Sequence, residues 1–176
     1  MSASLAPKKN ARQFALAALL FAVGLAACNS GAPAVQLNIG QPAPGFQTLT
    51  LDGTPVRFPA AFAGKPLVIR FWADWCRYCE GEMKAIESVY QRHRGQGLEV
   101  LAINSGQDKP AVAAFIKKIG VSYPALLDEQ SKIARSFGVV GLPTTYFVDA
   151  RGIVRGKIVG EGDEATFERQ VVELLK

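Results

Sequence analysis

Cys76 and Cys79, three residues apart, offer the most reactive chemistry in this 176-residue chain. A thiolate attacks a disulfide sulfur to give a mixed disulfide, and a second thiol within reach resolves it. Cysteines at i and i+3 on the first turn of a helix share a face and close a disulfide with little backbone movement. A helix N-terminus presents unpaired N–H groups and the positive end of the dipole, which favour thiolate over thiol. Cys76, nearer the helix start and the surface, is therefore the expected nucleophile, and Cys79 the resolving thiol. Arg77 between them can add positive charge. Run in reverse, an oxidised pair accepts electrons from a dithiol.

Two other uses of the pair compete with this one. A zinc site wants four ligands, and with Cys28 assigned elsewhere the chain adds only His93, so no metal and no cofactor is expected. His93 itself reads as a solvated residue at a helix C-terminus. A bridge over so few residues constrains the unfolded chain little, so stability alone is a poor reason for it.

The pair has to be held between a strand and a helix. Leu67–Trp72 is an apolar, β-branched run suited to a buried strand. From Arg77 to about His93, the spacing of Met83, Ile86, Val89 and Tyr90 predicts a helix with one apolar face, closed by Gly95 and Gly97. Upstream, Phe46–Leu51 and Pro55–Phe58 flank Asp52-Gly53, a hairpin signal. Downstream come a strand at 98–104, a helix at 110–119 with Pro near its first turn and Gly120 beyond its end, a short strand at 125–127 and a helix at about 129–137. An antiparallel pair, 144–148 and 153–159, and a closing helix at 166–175 complete the pattern. Strands alternating with helices imply an α/β fold with both sheet faces covered, and the final hairpin makes the sheet mixed.

The first residues read as an address. Lys8, Lys9 and Arg12 precede a 14-residue apolar stretch, Phe14 to Ala27, shorter than the roughly 20 residues a spanning helix needs. Leu25-Ala26-Ala27-Cys28 resembles the lipobox of bacterial lipoproteins, whose cysteine is acylated and becomes the mature N-terminus. The expected organisation is a signal peptide at 1–27, a tether at 28–38 rich in turn-forming residues, and one domain at 39–176. The odd cysteine of the three is then a lipid attachment point. Without the three leading basic residues, 17 Lys and Arg face 15 Asp and Glu, a net of +2, which is no nucleic-acid footprint.

Phe71-Trp72-Ala73-Asp74-Trp75-Cys76-Arg77-Tyr78-Cys79, followed far downstream by Gly141-Leu142-Pro143-Thr144-Thr145-Tyr146-Phe147, resembles the thioredoxin superfamily. The opening Gly40-Gln-Pro-Ala-Pro-Gly-Phe46, the Leu51-Asp52-Gly53 turn and Gly64-Lys65 are similar to the TlpA/ResA branch of membrane-tethered thiol-disulfide reductases. The resemblance covers about Ile39 to Leu175. It implies a thioredoxin-like three-layer sandwich with a central mixed sheet, an N-terminal β-hairpin and an inserted helix-strand at about 109–128. It also implies a cis peptide before Pro143, lying against the cysteines, where backbone beside it pairs with an extended substrate. Trp75, Leu142 and Pro143 are the expected substrate-binding residues, with Trp72 and Trp75 packing around the pair.

Glu82 matches the acidic residue that follows the second cysteine in that branch, so it is the third expected catalytic residue, exchanging protons with Cys79 and raising the thiol pKa values by like-charge repulsion. The competing reading is a solvated surface glutamate. Arg70 departs from the pattern, standing where thioredoxin has a buried aspartate; its cation is expected to lower the cysteine pKa. Arg77-Tyr78 departs from the Pro-containing pair common in reductases and leaves the direction of electron flow open. By resemblance, the protein is an extracytoplasmic, membrane-anchored lipoprotein on the periplasmic side. Its expected activity is reduction of protein disulfides, with apocytochrome c thiols as substrates and a membrane electron-transfer protein as reductant. The other readings are a dithiol oxidase, a peroxiredoxin-like peroxidase suggested by Ala43-Pro44-Gly45-Phe46, and a metal-carrying chaperone.

Overall fold

A computed structural model of the protein describes residues 36–176. The expected signal peptide, the Cys28 attachment point and most of the tether lie outside these residues. Leu37, expected in the tether, is buried in the core.

Seven strands and four α-helices follow in the order β1 (Phe46–Leu49), β2 (Pro55–Phe58), β3 (Leu67–Trp72), α1 (Cys79–His93), β4 (Glu99–Ser105), α2 (Lys109–Ile119), β5 (Ala125–Asp128), α3 (Lys132–Ser136), β6 (Thr144–Val148), β7 (Val154–Val159) and α4 (Glu164–Leu174). β1 and β2 form a separate antiparallel hairpin, and the other five strands form one sheet in the order β5-β4-β3-β6-β7. β3, β4 and β5 run parallel, whereas β6 is antiparallel to both β3 and β7, so the sheet is mixed. The inserted helix-strand is α2-β5, and it supplies the strand at one edge.

Side-chain alternation along the strands divides the core in two. Val68 and Trp72 of β3 face α1, α2 and α4, meeting Met83, Ile86, Phe115 and Phe167. Leu67, Ile69 and Phe71 face the other way, toward Phe46, Val56 and Phe58 of the hairpin and Ile133 and Phe137 around α3. Arg70 lies between Val68 and Trp72 in the alternation, and so points into the helix-covered face. On the hairpin side, the rings of Phe46 and Phe58 stack at 5.2 Å. A bridge between Thr50 and Leu126 ties the hairpin to β5.

Helix ends depart from the sequence reading where local hydrogen bonds override periodicity. α1 begins at Cys79 rather than Arg77, because 73–78 is taken up by tight turns in which Cys76 N–H donates to Ala73 (3.2 Å) and Cys79 N–H to Cys76 (3.0 Å). α3 is only five residues long. The Asp128 carboxylate accepts from Ala134 N–H (2.9 Å) and its carbonyl from Ser131 N–H (2.8 Å), so 128–131 forms a turn before the helix. α2 and α4 start earlier than expected, at caps where Asp108 accepts from Ala111 N–H (3.0 Å) and Asp163 from Thr166 N–H (2.8 Å).

His93 is not free in solvent. Its Nε2 lies 2.6 Å from Glu168 of α4, and Arg92 meets the same carboxylate at 2.5 Å, clamping α1 to α4. His93 and Arg92 hold the Glu168 carboxyl below its ordinary value. Lys118 and Lys84 hold Glu80 at about 2. Since both groups titrate lower in the folded state, the unfolded chain takes up protons first as acid is added. The stabilisation is present above about pH 4.5 and is lost as the pH falls toward 2. The urea midpoint is therefore expected to be level near neutrality and to drop through that window; a midpoint that rises in acid contradicts this.

Candidate active site

Cys76 follows the C-terminal end of β3, and Cys79 is the first residue of α1. They are joined by a disulfide with the Cα atoms 5.4 Å apart. Cys79 is fully buried, whereas Cys76 keeps 7% of its surface. That asymmetry gives an incoming sulfur access to Cys76 alone. Once reduced, Cys76 lies beside the first N–H groups of a 15-residue helix whose N-cap, Tyr78, makes no side-chain capping bond. The positive end of that helix favours a thiolate there. The exposed Arg77 guanidinium sits 5.7 Å from the centre of the Tyr78 ring.

The turn before Cys76 is pinned from the loop that follows β4. Gln107 Nε2 donates to the Asp74 carboxylate (2.6 Å), and Gln107 Oε1 accepts from Asp74 N–H (2.9 Å) and from the buried Asn104 amide (2.9 Å). Sequence reasoning missed Gln107, because nothing in its local pattern points to a contact 33 residues away.

The Leu142–Pro143 peptide is cis, as the resemblance implied, and a second cis peptide, Phe58–Pro59, was not anticipated. Pro143 is buried, and its carbonyl accepts from Gly160 N–H (2.9 Å). Among the described residues, Leu142 N–H and C=O join no backbone hydrogen bond. The register places this loop at the cysteine end of the sheet, since Thr144 pairs with Phe71 and with Val159. Trp75 (69% exposed), Tyr78 (43%) and Val140 (86%) add apolar surface. Trp75 stands at the surface next to Cys76 in the chain. Trp72 is buried in the same core cluster as both cysteines and stacks on Phe115 at 4.8 Å.

Glu82 is not on the solvated surface. One turn beyond Cys79, it is buried, accepts from Gly162 N–H through Oε1 and is ion-paired through Oε2 with the fully buried Arg70. Arg70 Nη1 also donates to Thr145 Oγ1 (2.8 Å). Burial lowers the Arg70 pKa from its ordinary value, and the Glu82 charge opposes that shift. Arg70 thus acts as the counter-ion of Glu82, not as a free cation aimed at the thiols. Among the described residues, no group of three or more His, Cys, Asp or Glu is placed to hold a metal ion.

Residues 39–157 match the family model described as the AhpC/TSA family. A thiol-disulfide oxidoreductase ResA of Geobacillus kaustophilus is 33% identical over 133 residues, covering 76% of each chain. The ResA of Bacillus subtilis is 31% identical over 126 residues, 72% of this chain and 70% of its own. Among solved structures, a thioredoxin-family thiol:disulfide interchange protein from Chlorobium tepidum superimposes with a TM-score of 0.71 at 31% identity, over 79% of this chain and 99% of its own. With the fold, the bonded cysteine pair and these relatives in agreement, the chain belongs to the AhpC/TSA family, as a thioredoxin-fold, ResA-like thiol-disulfide oxidoreductase.

Proposed function

We propose that the protein reduces protein disulfides outside the cytoplasm, on the periplasmic side of a membrane to which a lipidated Cys28 anchors it. The observation that carries the reductase reading is a cysteine pair with one reachable sulfur, set beside an unpaired stretch of backbone at Leu142. The Cys76 thiolate attacks a substrate disulfide, forming one S–S bond as the substrate's own bond breaks and releases a thiolate. Cys79 then attacks the Cys76 sulfur, releasing the second substrate thiolate and leaving the pair oxidised. Two electrons pass to the substrate, and a membrane electron-transfer protein returns two to the pair. Leu142 and Pro143 receive an extended segment through the backbone, and Trp75 supplies apolar contact beside it. Glu82 shapes the field at the thiols from the neighbouring helical turn.

Resemblance to the TlpA/ResA branch supports oxidised apocytochrome c as the substrate, its cysteine pair being returned to thiols. The address-like order of residues 1–27 supports export and attachment of the domain at 39–176. In redox-buffer titration, a reductase is expected to have a midpoint near that of thioredoxin, about −270 mV, or lower; a value near the −120 mV typical of a strong oxidant overturns this direction. In cells, the protein is expected to take up labelled fatty acid and sediment with membranes, and Cys28→Ala to lose both properties. Label retained by Cys28→Ala contradicts the anchor.

A further inference from the structure

Arg70 and Glu82 belong to a closed circuit that passes through both sides of the active site. Starting at Cys79, α1 leads one turn on to Glu82, whose Oε2 is held by Arg70. Arg70 reaches Thr145 Oγ1 at 2.8 Å, two residues after Pro143. The Pro143 carbonyl accepts from Gly160 N–H at 2.9 Å, and Gly162, two residues further along that loop, returns to Glu82 Oε1. The helix with the resolving cysteine, the proline loop and the β7-α4 loop are thus locked together by one buried cation and one buried carboxylate.

Both oxygens of Glu82 accept from fixed donors, one a backbone N–H and the other a buried guanidinium. A buried ion pair is seldom retained for stability, since well-packed apolar residues of similar volume often serve as well. Here Arg70 Nε is also buried with no hydrogen-bond partner. Position, then, is what this pair supplies.

We propose that Arg70 is a positioning residue of the redox site. It holds Glu82 as a carboxylate, cancels that charge toward the Cys76-Cys79 thiols, and registers the Pro143 loop against α1. This rests on the assignment of Cys76 and Cys79 as the redox pair. The other charged or titratable groups near the circuit are Tyr123, whose hydroxyl donates to the Met83 carbonyl on α1, and Arg77, Tyr78, Glu161 and Asp163, which line a cleft of about 270 Å³ beside Glu82. None of these side chains is bonded to the side chain of either member of the ion pair.

The test is the pH profile of thiol alkylation by iodoacetamide in the reduced full-length protein. Arg70→Met leaves a buried, unbalanced carboxylate one turn from Cys79. The thiolate is then disfavoured, and alkylation at neutral pH falls about tenfold, one unit of thiol pKa. Arg70→Lys keeps the charge and the wild-type profile, but one ammonium does not bridge Glu82 and Thr145, so KM for a protein disulfide rises. Arg70→Met/Glu82→Gln, which removes both charges, returns alkylation close to wild type. Should Arg70→Met not fold, the contrast is read between Glu82→Gln, which leaves an unbalanced guanidinium and alkylates faster than wild type, and the double variant, which does not. An Arg70→Met profile superimposed on wild type overturns the proposal, as does a double variant as slow as Arg70→Met. The alkylation readout needs no substrate and no direction of electron flow, so it can fail while the reductase reading stands, and the reverse.

Discussion

Cys76→Ser is expected to lower disulfide-reductase turnover at least about 10³-fold while leaving the fold intact, because a serine hydroxyl stays protonated where a thiol at a helix N-terminus ionises. Cys79, fully buried, has no path to a bulky disulfide and does not replace it as nucleophile. Serine keeps the shape of the side chain at a position that still reaches solvent, so the substitution is not expected to unfold the protein. Steady-state assays beside a denaturation curve separate the two effects. Retention of more than a tenth of wild-type turnover contradicts the assignment, and a large loss of stability makes the residue structural.

Phe137→Ala is expected to cost about 3–5 kcal/mol, the range for removing a buried aromatic ring. Phe137 is fully buried, with its ring centre 5.2 Å from that of Phe71 and 5.5 Å from that of Tyr146, and its carbonyl accepts the Tyr146 hydroxyl at 2.6 Å. It joins the hairpin layer to β3 and β6, the strands that end at the cysteines and begin after Pro143. Val140, three residues later but 86% exposed, gives the comparison, and Val140→Ala is expected to shift stability by less than about 0.5 kcal/mol. Urea unfolding measures both. Equal effects at the two positions contradict the two-layer core described above.

How much of this was legible beforehand depended on whether the information was local. The apolar run at 67–72 and the period of Met83, Ile86 and Val89 are local signals, and β3 and the buried face of α1 appear where they place them. The first residue of α1 was misplaced by two, because Tyr78 is no capping side chain and backbone turns set the boundary. The site divides in the same way. The cysteines, the proline and the exposed tryptophan announce themselves by type and spacing. Arg70 with Glu82, His93 with Glu168, and Gln107 with Asp74 are pairings 12, 75 and 33 residues apart. Such pairings are created by the packing of elements and leave no periodicity to read. An arginine inside an otherwise apolar strand was the one available signal, since a buried cation requires a buried anion. That requirement leads to Glu82 once the alternation of β3 is taken to place Arg70 on the same face as Val68 and Trp72.

The most direct measurement of the central claim is covalent trapping with Cys79→Ala, followed by peptide mass spectrometry of the adduct. Reduced Cys79→Ala exposed to a protein disulfide is expected to stall with one substrate chain bonded through Cys76, and the Cys76→Ala protein under the same conditions to capture none. Equal capture by both proteins, or an adduct at any position other than Cys76, contradicts the account.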